Sequence, residues 1–301
     1  MPPADLFHLP LTIERKTVTH LASAGRTTAI VRFEGGGAYG LGEEVTFQAD
    51  DLLQESPRES WPFSGTFGEF SLWLASHELF ARPPQYEVVR NYRRWAFEAA
   101  ALDLALRQAD ARFDEVVGRA VGPVNFVVSP PRGFTSYPGA ARLKIEAADV
   151  RPGLPVDVID FKLELDRAAV MSTFAMYPNA VLEDPTFIPS GAKVSWDIPY
   201  TSVELLRRSA PPDALNIKPA RFGSVAALIE VYELCAEHAI FTYGGGQHEI
   251  GPGRGQIQLL ASLFHPIAPN DVAPAGYNEP NPPAGLPTSP LDITPRVGFG
   301  L

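Results

Sequence analysis

The sequence predicts an α/β protein whose core is a ring of parallel strands. Two observations carry that reading. From about residue 123 onward, short apolar runs of strand character alternate with helical stretches, the pattern of a parallel sheet with right-handed crossovers. Polar residues also recur late in successive runs, at Lys144, Asp160, Glu183, Asp197 and Lys218, where a barrel places its functional groups. Seven or eight such units in series favour a closed barrel over an open sheet.

Residues 10–48 come first, as a small antiparallel meander. Residues 11–14, 16–20 and 29–33 have strand character, Gly35-Gly36-Gly37 turns the chain, and residues 39–44 lead back out. Residues 50–90 hold Pro57, Pro62, Pro83 and Pro84 with short helical pieces between them. Residues 91–109 give the clearest helix, with Trp95, Ala99, Leu102 and Leu106 on one face. Arg93 and Arg94 fall off that face, as a solvated or inter-subunit surface.

The ring is then built from strands at 124–128, 142–145, 156–160, 180–183, 192–197, 214–218 and 239–243, and a segment at 271–273 finishes it. Helices fall at 166–176, 202–208, 224–237, where Ser224 is an N-cap, and 255–263. Cys235 lies on the core face of the third of these. Fifteen residues separate Lys144 from Asp160 and thirteen separate Glu183 from Asp197. Those spans leave little room for a crossover helix, so one or two outer helices are expected to be missing or reduced to a turn.

The bulk properties exclude several functions. A formal charge of −10 with no basic run argues against nucleic acid and anionic membranes as partners. Cys235 is the single cysteine, so no internal disulfide forms, which fits a cytoplasmic protein. The N-terminus shows no signal pattern and no apolar run is long enough to span a bilayer. Several of the 30 prolines cluster after Asn270, so the tail is expected to be extended or ordered against something.

Three carboxylates aimed at one point repel unless a cation neutralises them. An all-oxygen set suits Mg²⁺. A substrate carboxylate on such a site has its α-proton acidified through an enediolate. A lysine lowered by burial and a nearby cation can take that proton. Lys144 and Lys218 approach from opposite sides, so one can remove the proton while the other returns one. The alternative makes both lysines counter-ions of a structural carboxylate network.

These residues resemble the enolase superfamily, in its muconate-lactonizing-enzyme-like branch. That branch holds o-succinylbenzoate synthase, N-succinyl amino acid racemase, dipeptide epimerase and muconate cycloisomerase. Gly40-Leu41-Gly42-Glu43-Glu44 is similar to the family's opening meander. Arg142-x-Lys144, Leu182-Glu183-Asp184-Pro185, Asn216-Ile217-Lys218-Pro219 and the glycine-rich stretch 244–254 are similar to its successive strand-end motifs. The resemblance covers nearly the whole chain. It implies a modified (β/α)₇β barrel, residues 123–275, under an α+β cap formed by residues 1–122 with the tail 276–301 returning to it. It implies a Mg²⁺-dependent lyase or isomerase acting on a small carboxylate, with Lys144 and Lys218 catalytic and Asp160, Glu183 and Asp197 on the metal. It also implies that cap loops near 21–27 and 54–67 choose the substrate.

Two departures stand out: Arg142 where the motif has lysine, and Lys162 where it has asparagine. Both are candidates for substrate contact, with Gly246, Gln247, His248 and Arg254. His248 is either a substrate contact or an exposed loop residue, and Arg254 either grips a carboxylate or caps a helix. Asp157 has the opposite strand parity to Asp160 and is expected to face away from the interior. A homo-oligomer is compatible with the sequence. A catalytically degenerate barrel serving as a binding or scaffold protein is the alternative.

Overall fold

The computed structural model describes residues 4–301 except 24, 59, 60, 136, 138–140 and 280. A short helix α1 (Ala4–Phe7) precedes β1 (Pro10–Ile13), which pairs antiparallel with β5 (Phe63–Thr66). Strands β2 (Arg15–Ser23), β3 (Arg26–Gly35) and β4 (Ala38–Glu44) form the antiparallel meander. Helices α2 (Ala49–Leu52), α3 (Phe67–Ala75), α4 (Val88–Gln108) and α5 (Phe113–Val117) follow. A reciprocal capping box starts α3: Glu69 N–H donates to the Thr66 hydroxyl, and Thr66 N–H donates to the Glu69 carboxylate.

Helix α4 is buried along most of its length and packs on the meander. Glycine makes that approach feasible. A Cβ on Gly40 would lie 2.2 Å from Ala100 O, and one on Gly42 would lie 2.0 Å from Ala96 O. One expectation is corrected here. Arg93 is 3% exposed, because its Nε donates to Glu44 at 2.9 Å and its other nitrogens donate to the carbonyls of Gln54, Leu79, Asp51 and Leu52. Its five donors are consumed tying the 51–54 and 79 segments to α4, so it offers no outer surface. Arg94 is half-buried on the fully buried Glu98.

The main sheet is a curled layer of six parallel strands in sequence order: β6 (Leu143–Glu146), β7 (Val156–Asp160), β8 (Val181–Glu183), β9 (Lys193–Trp196), β10 (Ala214–Ile217) and β11 (Phe241–Gly244). Crossovers carry α6 (Arg167–Met176) after β7, α7 (Val203–Arg208) after β9, and α8 (Pro219–Phe222) with α9 (Val225–Glu237) after β10. Helix α10 (Pro252–Phe264) follows β11. The β6–β7 connection holds only the 3₁₀ turn Ala147–Asp149, and residues 184–192 between β8 and β9 hold no helix. These are the two spans whose lengths leave no room for one. Residues 124–128, expected as a strand, make isolated bridges instead, parallel from Val128 to Leu143 and Phe126 to Asn270 and antiparallel from Val124 to Leu291, while Asp271 bridges to Gly245. Among the described residues no helix is long and apolar enough to cross a membrane.

Candidate active site

Parallel strands bring their C-terminal ends to one rim. Asp160 and Glu183 end β7 and β8 and are register partners, and Glu183 also faces Ser195 of β9. Lys144 rises from one strand further along, second in β6, while Asp197 and Lys218 directly follow β9 and β10. Strand parity points these side chains to one face. Lys144, Asp160, Glu183 and Asp197 are all buried, at 6% exposure or less, so each charge must find a partner.

They find one another. Lys144 Nζ donates to Glu183 Oε1 at 2.5 Å and lies 3.5 Å from Asp271 and 3.8 Å from Asp160. Burial alone would lower the Lys144 pKa, but Glu183, Asp271, Asp160 and Asp197 outweigh it and hold the ammonium well above its usual value. The second oxygen of Glu183 accepts from Asn216 Nδ2 at 3.0 Å and from the Tyr243 hydroxyl. Tyr243 also meets Ser195 Oγ at 2.7 Å. Lys218 Nζ donates to Asp197 Oδ2 at 2.6 Å, and Arg221 Nε lies 2.6 Å from Asp197 Oδ1. Burial opposes ionisation of Asp197, yet those two cations hold it well below the usual carboxylate range.

The structure groups Asp160, Glu183 and Asp184, with one oxygen from each within 4.8 Å of the others. Asp197 stays outside that group, on Lys218 and Arg221. Asp184 accepts from Asp197 N at 2.9 Å and Ile198 N at 3.0 Å, which ties the two acids together. Burial and then Asp197 push the Asp184 carboxyl up to about 7. An octahedral Mg²⁺ needs oxygens roughly 3–4 Å apart, so a small closure of these hard, buried donors fits that ion. One buried polar atom beside the cluster, Asn216 Oδ1, has no hydrogen-bond partner among the described residues, as a site shaped for something further would leave it.

The other predicted residues divide. Lys162 Nζ reaches Asp160 Oδ2 at 2.5 Å. Gly246, Gln247 and His248 lie on the loop after β11, folded on Glu249, whose carboxylate accepts from Gln247 N at 3.0 Å. His248 is half-buried with φ 68°. Burial, then Arg26, lowers it to about 3. Arg254 turns back on its own loop, donating to Glu249 O at 3.0 Å. Arg142 is corrected: it pairs with Asp157 at the opposite, N-terminal mouth of the sheet, beside Val181, Lys193 and Ala214. Its place before β6 leaves it below the rim, and a register shift between Leu143 and Lys144 leaves Asp157 unpaired in the ladder, at that lower mouth with Arg142. Sequence reasoning passed over Asp271, Ser195, Asn216 and Tyr243. Period-two parity from Asp197, Lys218 and Gly245 points to the last three.

The N-terminal and C-terminal models of a family described as domain of unknown function DUF8230 match residues 4–116 and 156–279. Among solved structures, a dipeptide epimerase from Methylococcus capsulatus complexed with Mg ion superposes with a TM-score of 0.72 at 15% identity, over 96% of this chain and 99% of that one. A muconate cycloisomerase from Pseudomonas fluorescens gives 0.69 at 15% identity, over 97% and 96%. The chain has the enolase-superfamily fold. In sequence, this chain is 37% identical to o-succinylbenzoate synthase of Bacillus subtilis over 59 residues, 20% of this chain and only 16% of that relative.

Proposed function

We propose that this chain is a Mg²⁺-dependent enzyme that takes the α-proton of a small carboxylate substrate, as a lyase or an isomerase. The observation that carries this reading is the pair of lysines at β6 and just after β10, Lys144 bonded to Glu183 and Lys218 to Asp197, two carboxylates on the same rim. Asp160 and Glu183 would hold the ion, with Asp184 or Asp197 as the third acid. Bound there, Mg²⁺ supplies charge stabilisation for a substrate carboxylate that is losing its α-proton. Lys144 must shed its own proton to act as base. With Glu183 and Asp160 engaged elsewhere, two of the charges that hold the ammonium are withdrawn, and burial works against those that remain, Asp271 and Asp197. Lys218, anchored by Asp197, stands ready with a proton on the other side. An elimination needs one lysine as base and acid, whereas racemisation or epimerisation needs both to exchange protons.

In this reading the bridges from residues 124–128 to Leu143 and Asn270 close the six strands into a (β/α)₇β ring over residues 123–275. Residues 1–122 make the cap, and the tail 276–301 runs along residues 124–126 before returning to it, where Phe299 packs on Phe113 and Trp95. The single buried cysteine suits a reducing compartment, and we place the enzyme in the cytoplasm.

The test is incubation with Mg²⁺ in D₂O against N-acyl amino acids, dipeptides and a succinylbenzoate precursor. Turnover or α-deuterium incorporation is expected, lost in Lys144→Ala. Lys218→Ala should abolish exchange of one enantiomer in a racemase. No exchange with any substrate sinks the reading. A scaffold function is favoured by one observation, that every rim carboxylate already has an internal partner. It predicts no Mg²⁺ binding by calorimetry.

A further inference from the structure

We infer that Lys162 is a tethered cation that competes with Mg²⁺ at Asp160 and sets the metal affinity of the site. This rests on the proposed function, whose metal group it concerns. Three observations carry it. First, Lys162 Nζ stands 2.5 Å from Asp160 Oδ2, against one of the three grouped carboxylates. Second, the backbone is bent to put it there. Lys162 and Leu163 both have left-handed φ, at 52° and 59°, a conformation that non-glycine residues adopt only when their surroundings impose it. The bend is held because Lys162 N–H donates to Asp160 Oδ1 at 3.2 Å and Leu163 N–H donates to Asp184 O at 2.9 Å. The turn thus wraps Asp160 and returns the lysine to its carboxylate. Third, the two ammonium groups in contact with the acids differ in freedom. The Lys144 side chain is 6% exposed, whereas that of Lys162 is 40% exposed. Lys144 has nowhere to go, while Lys162 can swing into solvent when an ion arrives.

Charge counting gives the consequence. Asp160, Glu183, Asp184 and Asp271, if all ionised, carry four negative charges, and Lys144 and Lys162 return two. A divalent ion entering with both lysines in place brings the cluster only to neutrality. Without the Lys162 charge, the remaining triple negative charge attracts the ion more strongly. Like charges about 4 Å apart in a partly buried setting repel strongly enough to shift an equilibrium by more than tenfold.

The experiment is calorimetric titration with Mg²⁺, with Mn²⁺ as a second probe, on the wild-type chain and on Lys162→Asn, Lys162→Met and Lys162→Arg. Asparagine tolerates left-handed φ and methionine keeps the length, so one variant is expected to fold even if the other does not. Circular dichroism checks both. The expected result is a Kd for Mg²⁺ lower by about tenfold or more in the two neutral variants and unchanged in Lys162→Arg. A neutral variant within twofold of wild type overturns the inference, as does the absence of binding in all of them. Metal that binds as expected without α-deuterium exchange would sink the proposed function and leave this inference standing.

Discussion

Glu43 should be among the most costly single positions to alter outside the rim. It is 2% exposed and lies in β4, yet its carboxylate serves a segment far along the chain. It accepts N–H groups from Ile250 at 2.8 Å, Gly251 at 3.0 Å and Gly253 at 2.9 Å. Gly251 is the N-cap of α10, so the negative charge sits where the helix dipole favours it. The space is closed to alternatives, since a Cβ on Gly253 would lie 2.9 Å from Glu43 Oε2. Burial and Glu249 raise the Glu43 pKa, while the backbone donors oppose that rise. Glu43→Gln keeps the shape but turns one acceptor into a donor, so whichever way the amide points, one or two backbone N–H groups face another donor. Each buried orphan costs about 1–3 kcal/mol, and the lost helix-end charge costs about 0.3–1 kcal/mol. Relief of the repulsion with Glu249 returns part, leaving a loss of about 2–4 kcal/mol. Urea denaturation with the slope held constant measures it, and hydrogen exchange at residues 250, 251 and 253 localises it. A change below about 0.5 kcal/mol, with unaltered protection of those amides, would refute the reasoning.

Two further outcomes follow from buried groups away from the rim. His265 meets Tyr232 at 3.1 Å through Nε2 and Asn270 Oδ1 at 2.6 Å through Nδ1, an arrangement for a neutral ring protonated at Nδ1. Burial lowers it to about 4, so its contribution is present above the unfolded value near 6.5 and is lost as pH falls toward 4. That is about 3 kcal/mol of stability. Ring NMR should show neutral His265 at pH 5, and a titration near 6.5 would contradict this. Burial also pushes the Cys235 thiol up to about 12, so an aromatic disulfide reagent at pH 8 should leave the native chain unmodified and react once it is unfolded in urea.

The sheet order was legible because each strand is an apolar run, and a parallel array leaves no choice about which ends meet. Lys144, Glu183 and Asp160 come together for that reason. Asp184 was harder to assign from sequence, because it follows the last residue of β8 and only its left-handed φ of 50° keeps its carboxylate near the cluster. Asp271 lies in a segment that makes only isolated bridges, at Asn270 and Asp271, too short to show a period. Arg93 misled because an arginine on a helix suggests solvent, whereas here it is the hub for four carbonyls. Arg142 misled because motif spacing says nothing about height along the strand, and its Asp157 partner lies at the other mouth.

Residues 298 and 299 complete the N-terminal packing: Gly298 N–H donates to Ala111 O, and Phe299 N–H donates to Asp103 while its ring fills the space between Trp95 and Phe113. A ribosome making this chain therefore exposes the apolar flank of α4 some two hundred residues before the group that covers it exists. Until residue 299 emerges, that flank must be shielded by something else, so truncation a few residues earlier should yield a chain that binds chaperones far more persistently than its small loss of mass would suggest.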